Sequence, residues 1–323
     1  MSDKIYGKIM QGVGGLYSVR ITACDIDIND TNIIGSTVSC RARGSFRHNN
    51  LSPLAGDNVI LSYTRANGKD NNEEYVIEEI FDRKSALIRP PLANLDYLFI
   101  TLAAASPKPV LSTVDKLISI AEFNEIEPII VITKCELDVE YAKELKSIYE
   151  NSGFTVFCLS AVEDINVEPI DEFIKSALPS KLAAFAGASG IGKSTLLNRL
   201  FPSLSLSTSE ISKKIQRGKH TTRKVELFPI IFNESTHDVG YIADTPGFSM
   251  LDFERFDFFE KDDLVYTMRE FRPYINQCKY TKCSHTKEDG CAIISALKDG
   301  KIERTRHQSF CELYDVLKVK TKW

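Results

Sequence analysis

Short runs of alternating hydrophobic and polar residues fill the first 82 positions. The run KIYGKIM is followed by the glycine-containing turn QGVGG and by LYSVRIT, a pattern typical of a β-hairpin. The later runs STVSCRARG, NVILSYTR and EYVIEEIF are separated by Gly, Asn, Asp and Pro. Five or so short strands at this spacing predict a small β-barrel of the oligonucleotide-binding (OB) type. The alternative is a β-module that only packs against its neighbour.

From about Arg83 the pattern changes to apolar strands alternating with amphipathic helices. DYLFITLA, PIIVIT and FTVFCLS have the composition of buried strands, and STVDKLISIAEF and VEYAKELKSIYE have helical periodicity. This alternation predicts a parallel sheet covered by helices on both faces, ending near Leu251. The chain beyond is charged and mostly helical in pattern. We therefore predict three domains, at residues 1–82, 83–251 and 252–323.

Composition narrows the classes of protein that fit this pattern. Of the 323 residues, 43% are hydrophobic and 26% charged, as in ordinary globular proteins. The net charge of −4 argues against a protein that coats nucleic acid over its whole surface. MSDKIYGKIM has no apolar signal region and no apolar run reaches membrane-helix length, so we expect a cytoplasmic protein without a membrane segment. With no secretory signal, the eight cysteines favour a metal site over a disulfide framework.

A phosphate-binding loop follows the apolar segment LAAFAG. The sequence GASGIGKS, residues 187–194, fits G-x-x-x-x-G-K-[ST] and precedes the helical segment STLLNRLF. Backbone N–H groups of such a loop surround phosphates, Lys193 would reach the β and γ oxygens, and the Ser194 hydroxyl would bind Mg²⁺. The alternative is an ordinary glycine-rich turn between a strand and a helix. The predicted phosphate contacts are Gly187, Ala188, Ser189, Gly190, Ile191, Gly192, Lys193, Ser194 and Thr195.

Two further segments complete the predicted phosphate and Mg²⁺ site. YIADTPGF ends an apolar strand with Asp-Thr-Pro-Gly, so Asp244 is expected to hold Mg²⁺ and Gly247 to bond the γ-phosphate. Between it and the phosphate loop lies KKIQRGKHTTRK, which has six Lys or Arg, one His and no acidic residue. A run of this kind is usually a solvated face, but its position predicts a switch segment. Within it we favour Thr222 over Thr221 as the Mg²⁺ ligand.

The base-reading elements come before the phosphate loop. VITKCEL ends in Thr133-Lys134-x-Glu136, which resembles the Asn-Lys-x-Asp loop that reads guanine in GTPases, and Ser160-Ala161 resembles the Ser-Ala that follows it. The phosphate loop begins more than fifty residues after Glu136, the reverse of the usual order. Joining old termini and cutting a surface loop preserves the neighbours of every strand in a parallel sheet. A circular permutation therefore accounts for all three elements.

Taken in order, these motifs resemble one known family, the circularly permuted, small-ribosomal-subunit-dependent GTPases called RsgA or YjeQ. The resemblance also includes LSPLAGDNV, DRKSALIRPPLANLDYLFI, RGKHTTR and a C-terminal Cys/His cluster, and it covers nearly the whole chain. It implies an N-terminal OB-fold, a permuted P-loop GTPase core of α/β class and a C-terminal, mainly helical zinc domain. It also implies GTP and Mg²⁺ as ligands, and binding to the small ribosomal subunit and its rRNA during late maturation. We expect a monomer.

The base-reading loop departs from the family pattern. Glu136 is one methylene longer than the usual Asp, and Thr133 lacks the amide of the usual Asn. Losing a well-paired polar contact costs about 1–3 kcal/mol. We therefore expect guanine selectivity that survives but is looser.

A Cys/His cluster lies near the C-terminal end. CKYTKCSHTKEDGC has the spacing Cys278-x4-Cys283-x-His285-x5-Cys291, and three thiolates with one imidazole can close a tetrahedron around Zn²⁺. Such a site would be structural because four protein ligands leave no open position. Buried thiols beside a surface histidine are the alternative, and Cys311 is a weaker candidate ligand.

The attacking water needs a residue to orient it. Ras-type enzymes use a Gln soon after the Asp-x-x-Gly loop, but Phe248 follows Gly247 here, so a slow intrinsic rate is expected. His220 in the switch segment is the predicted catalytic residue, since an imidazole can orient or deprotonate water near neutral pH. The alternative is a histidine that contacts phosphate or RNA, or that braces the switch.

Basic patches are the candidate RNA contacts. They are Arg41, Arg43, Arg47 and His48 in the barrel, the switch run, and Lys301, Arg304, Arg306 and His307 as a basic helix face. Two competing functions remain: an rRNA-binding assembly scaffold with vestigial hydrolysis, motivated by Thr133 and Glu136, and an unrelated P-loop ATPase.

Overall fold

The computed structural model of the chain describes residues 4–25, 33–44, 46, 51–65, 73–202, 225–233, 238–244 and 259–319. These residues fall into two compact units. The first takes its described residues from 1–96, 177–184 and 221–247, and the second takes the remainder. The domain boundaries at 82 and 251 stay a prediction.

A five-stranded barrel forms most of the first unit. Its strands are β1 (Ile5–Val13), β2 (Leu16–Cys24), β3 (Thr37–Ala42), β4 (Asn58–Arg65) and β5 (Glu73–Ile80). β1 pairs with both β2 and β4, β3 pairs in parallel with β5, and β5 pairs with β4, so the sheet closes in the order β1-β2-β3-β5-β4. The predicted OB-type barrel is confirmed.

Local sequence explains how the barrel begins. β1 and β2 are joined by Gly14 and Gly15, both at positive φ (59° and 83°), as a two-residue turn between right-twisted strands requires. Alternate residues of the strands point inward and form the barrel core. Its fully buried members include Ile5, Ile9, Val19, Ile21, Val59, Leu61 and Ile77.

A buried ion pair fixes the chain that leaves the barrel. Arg83 donates from Nε and Nη2 to the two carboxylate oxygens of Asp57, at 2.7 and 2.8 Å, and Asp57 is fully buried. Asp57 also accepts a hydrogen bond from the backbone N–H of Leu54 at 2.7 Å. Because each oxygen is paired, this buried carboxylate is compensated.

Further strands complete the first unit. They are β6 (Ala86–Leu87), β7 (Leu92–Ala93), β12 (Glu226–Asn233) and β13 (Asp238–Asp244). β12 pairs antiparallel with β13 and touches β1 at Gln11, and β13 pairs in parallel with the first three residues of β11 (Leu182–Ala186). The predicted strand YIAD therefore exists and ends at Asp244.

Parallel strands and helices make up the second unit. Its elements are β8 (Tyr97–Ala103), α1 (Leu111–Phe123), β9 (Glu127–Thr133), α2 (Val139–Asn151), β10 (Thr155–Cys158), α3 (Glu168–Ala177) and α4 (Lys193–Leu200). β9 lies between β8 and β10, in parallel with both. β8 and β9 are buried along most of their length, which explains their uninterrupted apolar sequence.

The C-terminal part of the second unit packs against α1. It contains the 3₁₀ helices Leu264–Thr267 and Arg269–Tyr274, then α5 (Ala292–Lys298) and α6 (Arg304–Val319). α6 buries Phe310, Leu313 and Leu317, which lie on one helical face. The mainly helical character predicted for this part is confirmed. In the described part of the chain, no helix combines the length and the apolar content that crossing a membrane requires.

Candidate functional site

The phosphate loop has the strand–loop–helix setting that its sequence predicts. It leaves the end of β11 at Gly187 and enters α4 at Lys193. A Cβ at Gly187, where φ is 145°, would lie 2.4 Å from the backbone oxygen of Thr101, so only glycine fits there. The Lys193 ammonium donates to the Gly187 carbonyl at 3.3 Å and so lies across the mouth of the loop. The other predicted members occupy the loop between these two residues and the first turn of α4, which holds Ser194 and Thr195.

The loop after β9 touches the phosphate loop directly. The buried hydroxyl of Thr133 lies 2.5 Å from the backbone oxygen of Ile191 and 3.2 Å from that of Leu102. Lys134, at φ 56°, donates from Nζ to the Gly190 carbonyl at 2.8 Å. Thr133 thus supports the phosphate loop through its hydroxyl, and this role does not require the amide of an Asn.

Glu136 carries a buried acceptor. Among the described residues, its Oε2 atom has no hydrogen-bond partner although solvent does not reach it. A buried unpaired carboxylate oxygen is costly unless a ligand donates to it. The N1–H and exocyclic amine of guanine are donors of this kind, whereas adenine presents no donor at N1. Glu136 therefore holds a buried acceptor whose chemistry matches the donors of guanine, and its role in reading the base stays a prediction.

The Ser160 loop lies beside the Glu136 loop. The backbone N–H of Leu159 donates to Ile132 at 2.9 Å, and that of Cys135 donates to Leu159 at 3.4 Å. Ser160, which is buried, exchanges backbone hydrogen bonds with Ile165 and accepts from the N–H of Glu163 at its Oγ, at 3.1 Å. Ala161 follows at the half-buried edge of this turn. The structure thus brings both base-reading loops and the phosphate loop together in one unit.

Several predicted residues lie outside the described residues. These are the whole switch segment at residues 213–224, which includes His220, Thr221 and Thr222, then Gly247 of the nucleotide site, and Arg47 and His48 of the barrel patch. Asp244, the predicted Mg²⁺ ligand, is the exposed last residue of β13 in the first unit. Their roles stay predictions.

The Cys/His cluster has the dimensions of a tetrahedral metal site. The donor atoms of Cys278, Cys283, His285 and Cys291 all lie within 4.8 Å of one another. The Sγ atoms of Cys278 and Cys291 are 3.8 Å apart, and each lies 3.4–3.5 Å from His285 Nδ1. Zinc bonds of about 2.3 Å to sulfur and 2.0–2.1 Å to nitrogen, at tetrahedral angles, place sulfurs about 3.8 Å apart and sulfur and nitrogen about 3.5 Å apart. Cys278, His285 and Cys291 thus have the spacing of a tetrahedral Zn²⁺ site, and Cys283 lies within 4.8 Å of all three, so the donor set is compatible with Zn²⁺.

Glu288 organises the loop that carries these donors. Its carboxylate accepts from the hydroxyl and the backbone N–H of Ser284 and from the backbone N–H groups of Thr286 and Lys287. Burial acts to raise the pKa of Glu288, but these hydrogen bonds outweigh it and bring the pKa to about 2. On the other side, His307 Nε2 lies 2.8 Å from the backbone oxygen of His285. Cys311 contacts His307 at 3.8 Å and is not among the four clustered donors.

The prediction of a basic solvent face at the start of α6 is wrong for two of its four residues. Arg306 is fully buried and His307 nearly so, while Arg304 and Lys301 are exposed. Arg306 donates to Asp115 of α1 and to Glu270 of the second 3₁₀ helix, the latter at 2.7 Å. It joins the C-terminal part to the rest of its unit and does not face solvent. In the barrel patch, Arg43 pairs with Glu78 at 2.6 Å.

One covalent link at the site was not predicted. Cys135, the variable residue of the base-reading loop, is disulfide-bonded to Cys158 at the end of β10. Sequence reasoning treated the cysteines as thiols or metal ligands. Cys135 lies two residues after the end of β9 and Cys158 ends the neighbouring β10, so the two meet only through the pairing of these strands.

Together the barrel, the phosphate loop and the permuted base-reading loops define a circularly permuted P-loop GTPase, and comparisons with known proteins agree. Residues 80–254 match the RsgA GTPase model and residues 6–69 the RsgA N-terminal domain. The chain belongs to the RsgA family of GTPases.

Full-length relatives and solved structures support the same assignment. The chain is 38% identical to the small ribosomal subunit biogenesis GTPase RsgA of Ruminiclostridium cellulolyticum, over 97% of this chain and 93% of the relative. It is 35% identical to the small ribosomal subunit biogenesis GTPase RsgA of Clostridium botulinum strain 657, over 98% of this chain and 99% of the relative. YjeQ from Thermotoga maritima superposes with a TM-score of 0.77 at 28% identity, over 98% of this chain and all of that one. YloQ, a circularly permuted GTPase, superposes with a TM-score of 0.72 at 30% identity, over 99% of this chain and 97% of that one.

Proposed function

We propose that this GTPase acts in the biogenesis of the small ribosomal subunit, with GTP turnover that rises when the subunit binds. The observation that carries the nucleotide site is the meeting of three loops, in which Thr133 and Lys134 contact the backbone of the phosphate loop. The names of the full-length relatives support the ribosomal role. A factor with this role would work in the cytoplasm, where the subunit matures, and we propose that it does so as a monomer.

Each residue of the phosphate site has a proposed task in GTP hydrolysis. Lys193 would neutralise the β and γ oxygens, with backbone N–H groups of residues 187–192 around the phosphates. Ser194, Thr222 and Asp244 would hold Mg²⁺, which supplies charge stabilisation at the transferred phosphate. His220 would orient the attacking water, since Phe248 cannot. Gly247 would bond the γ-phosphate.

Base selection is proposed to depend on Glu136, with Lys134 and the Ser160-Ala161 turn on either side of the base. The carboxylate oxygen that lacks a partner among the described residues would accept from N1–H and the exocyclic amine. This contact favours guanine over adenine, because adenine would leave the same oxygen unpaired.

Replacing Glu136 by alanine is expected to weaken binding of GDP by about tenfold to a hundredfold, the loss of one or two charge-assisted hydrogen bonds. Binding of ADP should not change, because adenine makes no such contact. Titration of fluorescent GDP and ADP analogues measures both affinities. Glu140→Ala is the matched control, since that side chain is 85% exposed on α2, four residues away. Equal GDP affinity in the two variants would show that Glu136 does not read the base.

Contacts with rRNA are proposed to come from exposed basic residues and from the basic switch segment. The exposed residues are Arg41 and Arg43 in the barrel and Lys301 and Arg304 near the start of α6. The four clustered donors are proposed to bind one structural zinc ion that fixes the loop in this part of the chain. The second candidate function is an rRNA-binding scaffold with vestigial hydrolysis, which the Thr133 and Glu136 departures motivate.

Hydrolysis of GTP and ATP, with and without purified small subunits, tests the proposal. We expect turnover that is selective for GTP and that the subunit raises by about tenfold or more, as when a partner completes a GTPase site. Lys193→Ala sets the background rate, and His220→Ala should lose the stimulated component. Equal use of ATP would favour the unrelated ATPase. If the protein binds the subunit but hydrolyses GTP only at the background rate, the scaffold function is favoured.

A further inference from the structure

A cysteine pair joins the two loops that flank the proposed guanine site. Cys135 lies between Lys134 and Glu136, and Cys158 ends β10 two residues before Ser160. Their Cα atoms are 6.4 Å apart, within the range that a disulfide spans. Both residues are half-buried, so small redox reagents can reach them.

The backbone alone holds these loops together weakly at this point. β9 and β10 pair in parallel as far as Ile132 and Cys158, where regular pairing ends. Beyond it, the Leu159 N–H still donates to Ile132, but the hydrogen bond from Cys135 to Leu159 is long, at 3.4 Å. The sulfur–sulfur bond is therefore the one covalent link among the described residues between the Glu136 loop and the Ser160 loop, and it adds to a single short backbone hydrogen bond.

We propose that Cys135 and Cys158 form a reversible disulfide that controls how long the protein retains a guanine nucleotide. This inference rests on the proposed role of the two loops in reading the base. Reduction lets the two side chains separate, because two thiols cannot approach as closely as two bonded sulfurs. The loops on either side of the base then gain freedom, and release of the nucleotide becomes faster. Oxidation fixes the spacing of the two loops before the nucleotide binds, so binding costs less conformational entropy.

The chemistry balances with a peroxide as oxidant and a dithiol as reductant. One thiolate attacks the peroxide oxygen to give a sulfenic acid and water, and the second thiol displaces a second water as the disulfide forms. Two protons and two electrons leave the thiols, and one peroxide becomes two waters. A dithiol reverses the step by exchange and is itself oxidised to a disulfide.

Release of fluorescent mant-GDP from the full-length protein tests the inference. The rate is measured by stopped flow after treatment with hydrogen peroxide or with dithiothreitol, and the crosslinked peptide is identified by mass spectrometry. We expect a Cys135–Cys158 peptide only after oxidation, with release about three- to tenfold slower than in the reduced protein, the scale of ordering one loop. Both Cys158→Ser and Cys135→Ser should release at the reduced rate under either treatment.

The clustered cysteines need a control because peroxide also attacks them. Cys311→Ser keeps both the cysteine pair and the four clustered donors, so its response to oxidation should match that of the unmodified chain. Zinc release, followed with a chromogenic chelator, identifies the dose at which the cluster remains intact.

Two results would overturn the inference. One is the absence of the crosslinked peptide at a peroxide dose that oxidises exposed thiols. The other is a crosslink that forms but leaves the release rate unchanged. Failure of both redox forms to bind mant-GDP would instead refute the proposed base site, and the switch with it.

Discussion

Replacing Arg306 by methionine is expected to lower the free energy of unfolding of the second unit by about 3–5 kcal/mol, the usual result of removing one partner from a buried ion pair. The side chain is fully buried between α6, α1 and the second 3₁₀ helix. Methionine fills much of the volume but neutralises neither Asp115 nor Glu270. Two buried carboxylates would then face each other without a cation between them.

The contacts of Arg306 show which groups would lose a partner. Arg306 donates to one oxygen of Asp115 and to both oxygens of Glu270, at 2.7 and 3.3 Å for the latter. Its guanidinium also lies 5.3 Å from the centre of the Phe154 ring. Burial raises the pKa of Asp115 even with Arg306 beside it, and its second oxygen has no partner that meets hydrogen-bond geometry among the described residues. The carboxylate is already poorly solvated, so loss of the guanidinium leaves it uncompensated.

Urea unfolding, with hydrogen exchange of α1 and α6 to localise the effect, measures the change. Arg304→Met is the matched control, because Arg304 lies on the same helix with its side chain exposed. It should cost no more than about 0.5 kcal/mol. Adding Asp115→Asn to the Arg306→Met variant should recover part of the loss, since it removes one of the two stranded charges. Equal stability of the Arg304 and Arg306 variants would mean that the buried pair contributes little.

The position of Arg306 could have been predicted from periodicity. Residues 306, 310, 313 and 317 recur at the spacing of one helical face, and the last three are Phe310, Leu313 and Leu317. The charges of Lys301, Arg304 and Arg306, taken together, predicted instead a common solvent face. The apolar period carried more information than the charge run. Arg304 lies off this face and Lys301 precedes the helix, and both are exposed.

Motifs that are contiguous in sequence were predicted correctly and are present in the structure. The phosphate loop and the four clustered donors depend on local geometry, so a short spacing pattern was enough to find them. The strands of the core were also found, because burial on both faces gives an uninterrupted apolar run. The barrel hairpin followed from its paired glycines.

Contacts that depend on strand register could not be predicted from the sequence. Cys135 and Cys158 are separated by 23 positions, and they meet only because β10 pairs with β9 so that Cys158 lies opposite Ile132. A shift of one residue would turn Cys158 to the other face of the sheet. The hydroxyl of Thr133 likewise meets Ile191 across 58 positions. No single-sequence pattern fixes such a register.

Removing the metal is expected to unfold the loop from Cys278 to Cys291, because that loop has almost no core of its own. Of its residues only Cys291 is buried, and Tyr280 is half exposed. The hydrogen bonds of Glu288 stiffen the Ser284 to Lys287 turn but do not reach Cys278. Structural zinc contributes about 10–16 kcal/mol to the folding of small metal-bound domains. We therefore expect the loop to depend on one ion shared by its four donors.

Metal analysis of the full-length protein should give one zinc per chain, and hydrogen exchange should show protection of the loop that chelation abolishes. Cys283→Ser should lose the zinc and the protection together, whereas Cys311→Ser should keep both, since Cys311 lies outside the four-donor cluster. Protection of α1 should survive chelation better than that of the loop, because α1 is held by buried side chains such as Leu117 and Ile118. A protein that retains loop protection after complete removal of zinc would show that hydrogen bonding and packing suffice. A purified chain without zinc in which the loop is nonetheless protected would refute the metal site itself.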